Sequence, residues 1–271
     1  MEDISITIKN EEIPVPGLGT YLLSGSDCVK TVEQALSMGY RLIDTARSYG
    51  NESEIGIAIK NTNVPRKELF LITKITPQNL KFENVTESTR ESLQNLDTDY
   101  IDLLLIHWPG SEVPVKETFD AMNKMQKKEH VRHIGVSNFP PSLVDEAMQH
   151  TKIFANEVEY HPYLVREYLK DHAEINNYLT IAYSPLAKAG IKEDAVIREI
   201  GKNHGKTPVQ VTLRWLLQEG IVPIPKASQT QHLEENMNIF DFTLSEDEKI
   251  AIRDLDRDWH LDPVSDMADE E

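Results

Sequence analysis

One pattern recurs along this chain and constrains its fold more than any other feature. A short apolar, often β-branched run ends in polar residues and leads into an amphipathic helical stretch. Arg41 to Asp44 leads into Glu52 to Lys60, Leu69 to Lys74 into Val85 to Leu96, and Tyr100 to His107 into Val115 to Lys127. Val131 to Asn138 precedes Ser142 to His150, and Ile153 to Glu157 precedes Val165 to Ile175. Leu179 to Ser184 and Ile221 to Lys226 read as the last strands, with helices over Glu193 to His204, Pro208 to Glu219 and Gln231 to Phe240. Val15 to Thr20 at the start brings the strands to eight. At roughly 30 residues per unit this matches a closed (β/α)8 barrel of the TIM type, and an open doubly wound sheet is the alternative fold. No Pro-, Ser- or Gly-rich linker divides the chain, so residues 1–271 read as a single α/β domain. Within it, the alternation from Ile4 to Ile13 makes residues 1–13 a hairpin over one barrel end, and residues 257–271 form a short C-terminal tail.

A formal charge of −17 argues against a nucleic-acid binder, which needs clustered Lys and Arg, and means that any anionic ligand must be held locally. The acidic excess suits either a salt-rich cytoplasm or simple solubility, and the tail Asp266 to Glu271 reads as a solvated end. No apolar run approaches the ~20 residues that cross a bilayer. The start, Met1 to Ser5, lacks the basic flank and apolar stretch of a signal peptide, so a cytoplasmic protein with no membrane association is expected. The single cysteine, Cys28, leaves no internal disulfide and no CxxC site; it reads as a core or surface thiol.

In a barrel the strands are parallel, and their C-terminal ends meet on the face where barrel enzymes keep their sites. Those ends deliver Asp44, Lys74, His107, Ser137, Asn138, Glu157, Tyr183, Ser184 and Lys226. Tyr49 sits in the loop after the second strand, which Asn51 would pin by capping the next helix with Glu54 reaching back. A buried tyrosine gives up its proton reluctantly, and an ammonium beside it stabilises the phenolate. Lys74 is placed to do this, Asp44 to hold Lys74 charged and aimed, and His107 to orient a carbonyl oxygen. Taken singly, Asp44 is a turn former, Lys74 a solvated strand end and His107 a core histidine. Taken together on one face they read as a proton-transfer site.

The segments Pro16 to Thr20, Asp44-Thr45-Ala46 with Tyr49-Gly50-Asn51-Glu52, Ile72 to Lys74 and Leu105 to Pro109 resemble the aldo-keto reductase superfamily. So do Gly135 to Phe139, Glu159 to Pro162, Tyr183 to Leu186 and Ile224 to Lys226; they fall in the family's order over nearly the whole chain. The resemblance implies an NADPH-linked reductase of small aldehydes and ketones with Asp44, Tyr49, Lys74 and His107 as catalytic tetrad. Tyr49 would protonate the carbonyl oxygen that His107 orients, as hydride reaches the carbon. Gly17-Leu18-Gly19 does not make a Rossmann fingerprint, because Leu22 stands where the third glycine belongs.

By the same resemblance the coenzyme would meet Gly19, Thr20 and Asp44. Ser137, Asn138 and Glu157 would hold its carboxamide, Tyr183 would stack on the nicotinamide, and Ser184 and Leu186 would lie along the pyrophosphate. Lys226, Ala227, Ser228, His232, Glu235 and Asn236 would meet the adenosine end. Position 157 is usually glutamine in the family; a carboxylate still accepts from the carboxamide NH2, so binding of altered strength is expected. The family's Lys-Ser and its arginine six residues after the lysine are Lys226-Ala227 and His232 here. Guanidinium grips phosphate through a fixed charged fork that imidazole lacks, so a weakened NADPH preference and appreciable use of NADH are expected.

The resemblance further implies that Tyr21, Tyr49, His107 and Trp108 wall the substrate pocket, and the short surrounding loops lead to an expectation of broad activity on small aldehydes and dicarbonyls. Trp259 either reaches over that pocket or packs on the surface. His130-Val131-Arg132-His133 has metal-like spacing but runs from a turn into a strand without further ligands nearby, so no metal is expected. Trp215 sits at helical spacing with core residues. A monomer is expected. The competing readings are a coenzyme-sensing or interaction protein on the same scaffold, and an unrelated barrel isomerase or hydrolase. The apparent tetrad separates them, since the barrel alone hosts many chemistries.

Overall fold

The structure, a computed structural model, describes residues 5–110 and 112–261. The acidic end Asp266 to Glu271 and most of the expected tail lie outside the described residues. In chain order the elements are β1 (Ser5–Ile8), β2 (Glu11–Pro14), β3 (Leu18–Gly19), α1 (Gly25–Ser37), β4 (Leu42–Asp44), α2 (Glu52–Asn61), β5 (Phe70–Ile75) and α3 (Phe82–Asn95). They continue with β6 (Ile101–Ile106), α4 (Val115–Lys127), β7 (Val131–Ser137), α5 (Pro141–Met148), β8 (Ile153–Glu159), α6 (Glu167–Asn176) and β9 (Leu179–Tyr183). The chain then forms α7 (Ala195–His204), α8 (Pro208–Gln218), β10 (Val222–Pro223), α9 (Thr230–Met237) and α10 (Glu246–Arg253).

Strands β3 to β10 pair in parallel, each beside its neighbour in sequence. A parallel bridge between Gly19 and Lys226 joins the last strand to the first, so the expected (β/α)8 barrel closes. The two seam strands are shorter than the sequence pattern suggests, and proline is the cause. Pro223 and Pro225 have no N–H to give, so the seam consists of their carbonyls accepting from Gly17 and Gly19, while Ile224 N–H donates to Ala182 on the other side. The approach is close enough that a Cβ on Gly19 would meet the Ile224 carbonyl oxygen at 2.7 Å, which is why glycine occupies the position.

Inward side chains of the strands, among them Leu42, Ile72, Leu103, Leu105, Ile181 and Val222, fill the barrel interior. The β1–β2 hairpin lays Ile6, Ile8 and Ile13 against that cluster, and Lys9 Nζ donates to the Ile153 carbonyl at the start of β8, so the hairpin covers the N-terminal end. Two further clusters pack the helices onto the outside of the strands, one of them around Trp215, which is fully buried. His133 belongs to the covered end, where its ring stacks on Phe154 at 3.9 Å and its Nε2 stands 3.4 Å from Glu11.

Helices α1 and α10 have no counterpart in the sequence pattern. Helix α1 buries Cys28, Thr31, Val32, Ala35 and Leu36 at i, i+3, i+4, i+7 and i+8, a helical period that the sequence reading passed over, whereas α10 buries only Ile252 fully. A readable signal existed for α10: Ser245 and Glu248 form a reciprocal capping box at its start.

Candidate active site

A cavity of about 850 Å³ opens at the C-terminal ends of the strands. Most of its wall comes from strand ends and the loops that follow them, with α9 and the tail adding His232, Glu235, Asn236 and Leu261. Asp44 ends β4, Lys74 is the penultimate residue of β5, His107 follows β6, Ser137 ends β7, Glu157 lies near the end of β8 and Tyr183 ends β9. Sequence neighbours pair in register, Asp44 beside Ile72 and Ser137 beside Glu157, so residues more than a hundred positions apart share one floor.

At its centre Lys74 is fully buried, with Nζ 2.6 Å from Asp44 Oδ2, 3.2 Å from the Thr45 carbonyl and 3.2 Å from Glu157 Oε1. Burial alone would lower the ammonium, but the Asp44 and Glu157 carboxylates more than offset it and hold its pKa above the usual lysine range. Burial raises Asp44, and the Lys74 charge pulls it part of the way back. Burial and the nearby Asp44 push Glu157 up to about 8, with Lys74 opposing.

Tyr49 lies over this group with its ring centroid 5.4 Å from Lys74 Nζ. The sequence argument expects the ammonium to lower the phenol. Here burial raises it above its ordinary value, and the two carboxylates counteract the pull of Lys74. Lys74 pulls in the expected direction, but burial is the larger effect and decides the sign, with the two acids opposing the ammonium as well.

His107 meets Tyr49 edge to face at 5.7 Å and stacks with Trp108 at 6.5 Å. Burial, and then Lys74, lower its pKa to about 3, so the imidazole is neutral near neutrality. Ser48 Oγ stands 3.4 Å from His107 Nδ1, a partner that the sequence reading missed because one serine beside a tyrosine carries no distinguishing pattern.

The loop that carries Tyr49 is pinned, but not by the expected cap. Asn51 makes no side-chain bond to its own helix; its amide donates to the Thr20 and Leu23 carbonyls and its oxygen accepts from Thr45. It therefore stitches the loops after β3 and β4 together. Beyond them Tyr21, more than half exposed, brings its ring within 5.0 Å of Tyr49 at the cavity mouth.

On the opposite wall Ser137 donates to the Glu157 carbonyl, Asn138 donates to the Ser137 hydroxyl, and the Tyr183 hydroxyl donates to Asn138 Oδ1. Asn138 and Ser184 both adopt positive φ, 61° and 50°, a costly conformation that surrounding contacts must maintain. Gly19, Leu186, Lys226, His232, Glu235 and Asn236 also line the cavity. Lys74, fully buried beneath the floor, and three other expected residues lie outside its lining. Thr20 turns its hydroxyl to the Asp44 carbonyl, Ala227 packs in the core, and Ser228 is exposed beyond the wall.

Lys188 and Lys192 join the lining unannounced. They lie in the segment after β9 where Ala187, Lys188 and Ala189 all have positive φ. The tail reaches this segment from outside: Trp259 packs against Gly190 and Tyr163, and Leu261 lines the cavity and accepts from Lys188 Nζ. Trp259 thus packs behind the cavity wall.

The arrangement offers a partly buried proton donor, a neutral imidazole beside it, and cations along a wall suited to phosphate groups. The glycine, serine, asparagine and acid around Glu157 leave a polar floor for an amide, with Glu157 Oε2 buried and without a hydrogen-bond partner among the described residues.

Residues 17–257 match the model of the aldo/keto reductase family. The glyoxal reductase of Bacillus subtilis (strain 168) is 38% identical over 258 residues, 94% of this chain and 93% of that protein. Methylglyoxal reductase DkgB of Escherichia coli O157:H7 is 40% identical over 254 residues, 90% of this chain and 93% of that protein. The solved aldose reductase of Schistosoma japonicum superposes with a TM-score of 0.92 at 30% identity, over 99% of this chain and 97% of that one.

Proposed function

The chain belongs to the aldo/keto reductase family, and on that premise we propose that it reduces small aldehydes and 1,2-dicarbonyls, with NADPH or NADH as hydride donor and Tyr49 as the acid. The observation that carries the reading is the buried Asp44–Lys74 pair under Tyr49, an arrangement with no structural need for so much buried charge.

The bound coenzyme supplies the hydride; the rest falls to side chains of this chain. Asp44 keeps Lys74 charged and fixed, and Lys74 stabilises the charge that grows on the Tyr49 oxygen as its proton leaves. His107, being neutral, polarises a carbonyl without competing for the proton when its hydrogen is on Nε2, the tautomer in which Nδ1 can accept from the Ser48 hydroxyl 3.4 Å away. Ser137, Asn138 and Glu157 would hold the carboxamide, and Tyr183 would back the nicotinamide. Lys226, with Lys188 and Lys192, provides the local positive charge that phosphates require in an acidic protein. With His232 where the family's arginine would stand, the adenosine 2′-phosphate loses a charged fork, which supports use of both coenzymes.

Tyr21, Trp108 and His107 bound an open mouth suited to small substrates, and the relatives named for glyoxal and methylglyoxal support the same class. The test is oxidation of NADPH and of NADH, followed optically, with a panel that includes glyoxal and methylglyoxal. Turnover with either coenzyme supports the reading. Tight coenzyme binding without turnover on any aldehyde would overturn it in favour of a coenzyme-sensing role.

A further inference from the structure

Two carboxylates and one ammonium in a dry floor carry one negative charge too many. Asp44 and Glu157 are 3% and 2% exposed, and both face Lys74, at 2.6 Å and 3.2 Å. Asp44 has the hydrogen-bonded, shorter contact. Glu157 has the longer one, and its Oε2 has no hydrogen-bond partner among the described residues although it lies at the cavity. Of two acids sharing one cation, the one less well paired keeps a proton.

We propose that Glu157 holds an exchangeable proton beside the Asp44–Lys74 pair, and that losing it makes the cavity favour the oxidised nicotinamide over the reduced one. With Glu157 neutral, Asp44 and Lys74 cancel and the floor has no net charge. With Glu157 ionised the floor is negative and faces a ring that is cationic in the oxidised coenzyme and neutral in the reduced one. Glu157 acts here as a positioning and electrostatic residue, since the proton that reaches substrate comes from Tyr49. The proposal rests on the preceding reading that the cavity takes a nicotinamide coenzyme.

The titratable and charged groups that face Glu157 are Lys74 on β5, Asp44 on β4 and Tyr49 in the loop after β4, with His107 after β6 and Tyr183 on β9 across the cavity. His107 stays neutral above about 3, Lys74 and Tyr49 are both raised, and Asp44, though raised by burial, has the shorter contact with Lys74 that keeps it charged, so Glu157, pushed up to about 8, is the group among them that changes charge in the mildly alkaline range. The 2′-phosphate is common to NADP+ and NADPH, so its ionisation cancels in the ratio of the two affinities.

The experiment measures Kd for NADP+ and NADPH by quenching of tryptophan fluorescence from about pH 6 to about pH 9.5, on wild type and Glu157→Gln. One added charge near the ring is expected to move the NADP+ to NADPH affinity ratio about tenfold toward NADP+ across about pH 8 in wild type. The ratio should be flat in Glu157→Gln. A flat wild-type ratio, or a sloping one that survives the substitution, overturns the proposal. Failure of both coenzymes to bind at any pH overturns the coenzyme reading itself, and is a different result. A measurement on wild type alone guards against a variant that does not fold. Calorimetry near pH 8 in buffers of different ionisation heat should show proton release on binding NADP+ and much less on binding NADPH; equal release with both overturns the proposal.

Discussion

Lys74 Nζ stands 2.6 Å from Asp44 Oδ2 with neither side chain open to solvent, and Tyr49 lies over the pair. Removing one partner of such a pair leaves a bare buried charge, which typically costs about 3 to 5 kcal/mol, so Lys74→Met is expected to lose stability as well as activity. Tyr49→Phe removes only the hydroxyl. It should lower kcat by about 10² or more while leaving coenzyme Kd within about twofold, since proton transfer contributes about that factor. Steady-state kinetics beside fluorescence binding tests it; a variant with near-normal kcat would exclude Tyr49 as the acid.

His232 lines the cavity beside Glu235 and Asn236. Restoring a guanidinium with His232→Arg should raise the NADPH to NADH preference in kcat/KM by about tenfold or more, the worth of one charge-assisted hydrogen bond. An unchanged ratio would mean that the 2′-phosphate is read elsewhere.

Two buried groups tilt stability with pH in opposite directions. His107 is lowered from 6.5 to about 3, so below 6.5 the unfolded chain binds a proton that the folded one refuses, and stability falls as pH drops through that window. Glu157 is raised from 4.5 to about 8, so the folded chain keeps a proton that the unfolded one has lost. Its contribution is fully present below 4.5 and is lost as pH rises to about 8. The Tm difference between Glu157→Gln and wild type should therefore increase in favour of the variant from about pH 5 to about pH 8. Thermal melts across that range measure it, and a pH-independent difference would contradict the raised pKa.

Asn51 joins two active-face loops through three hydrogen bonds while fully buried. Asn51→Ala leaves the Thr20 and Leu23 carbonyls without their donor, at a cost of about 1 to 3 kcal/mol for each unsatisfied group. A lower Tm with a higher KM is expected, because the Tyr49 loop loses its anchor. A drop in Tm without a kinetic effect would show that the loop is held by other contacts.

Cys28 is fully buried in α1, and burial raises its thiol to about 11. The reactive thiolate is scarce near neutrality, so alkylation by iodoacetamide should be slow in the folded protein and fast in denaturant. Rapid labelling under native conditions would contradict the packing of α1.

The eight-fold alternation of strand and helix was legible because each strand is a near-continuous apolar run and each helix carries an apolar stripe, as burial on both faces of a parallel sheet requires. The strand-end residues were legible for the same reason. A barrel's parallel strands all finish on one face, so Asp44, Lys74, His107 and Glu157 could be placed together from their positions alone. What the sequence hid were relationships between distant residues. Asn51 stitches loops instead of capping its own helix, because its partners Thr20 and Leu23 come from another unit of the barrel. Ser48 meets His107 across 59 positions, and Trp259 meets Gly190 only once the tail folds back. The acid–base balance of the site belongs to the same class. A carboxylate at position 157 is visible in the sequence, but only the pairing of β5 through β8 brings it within 3.2 Å of Lys74, where low dielectric turns a second acid into a proton-holding group. Hydrophobic periodicity is local and is written along the chain; charge balance in a buried site is a property of distances, which only the closed barrel decides.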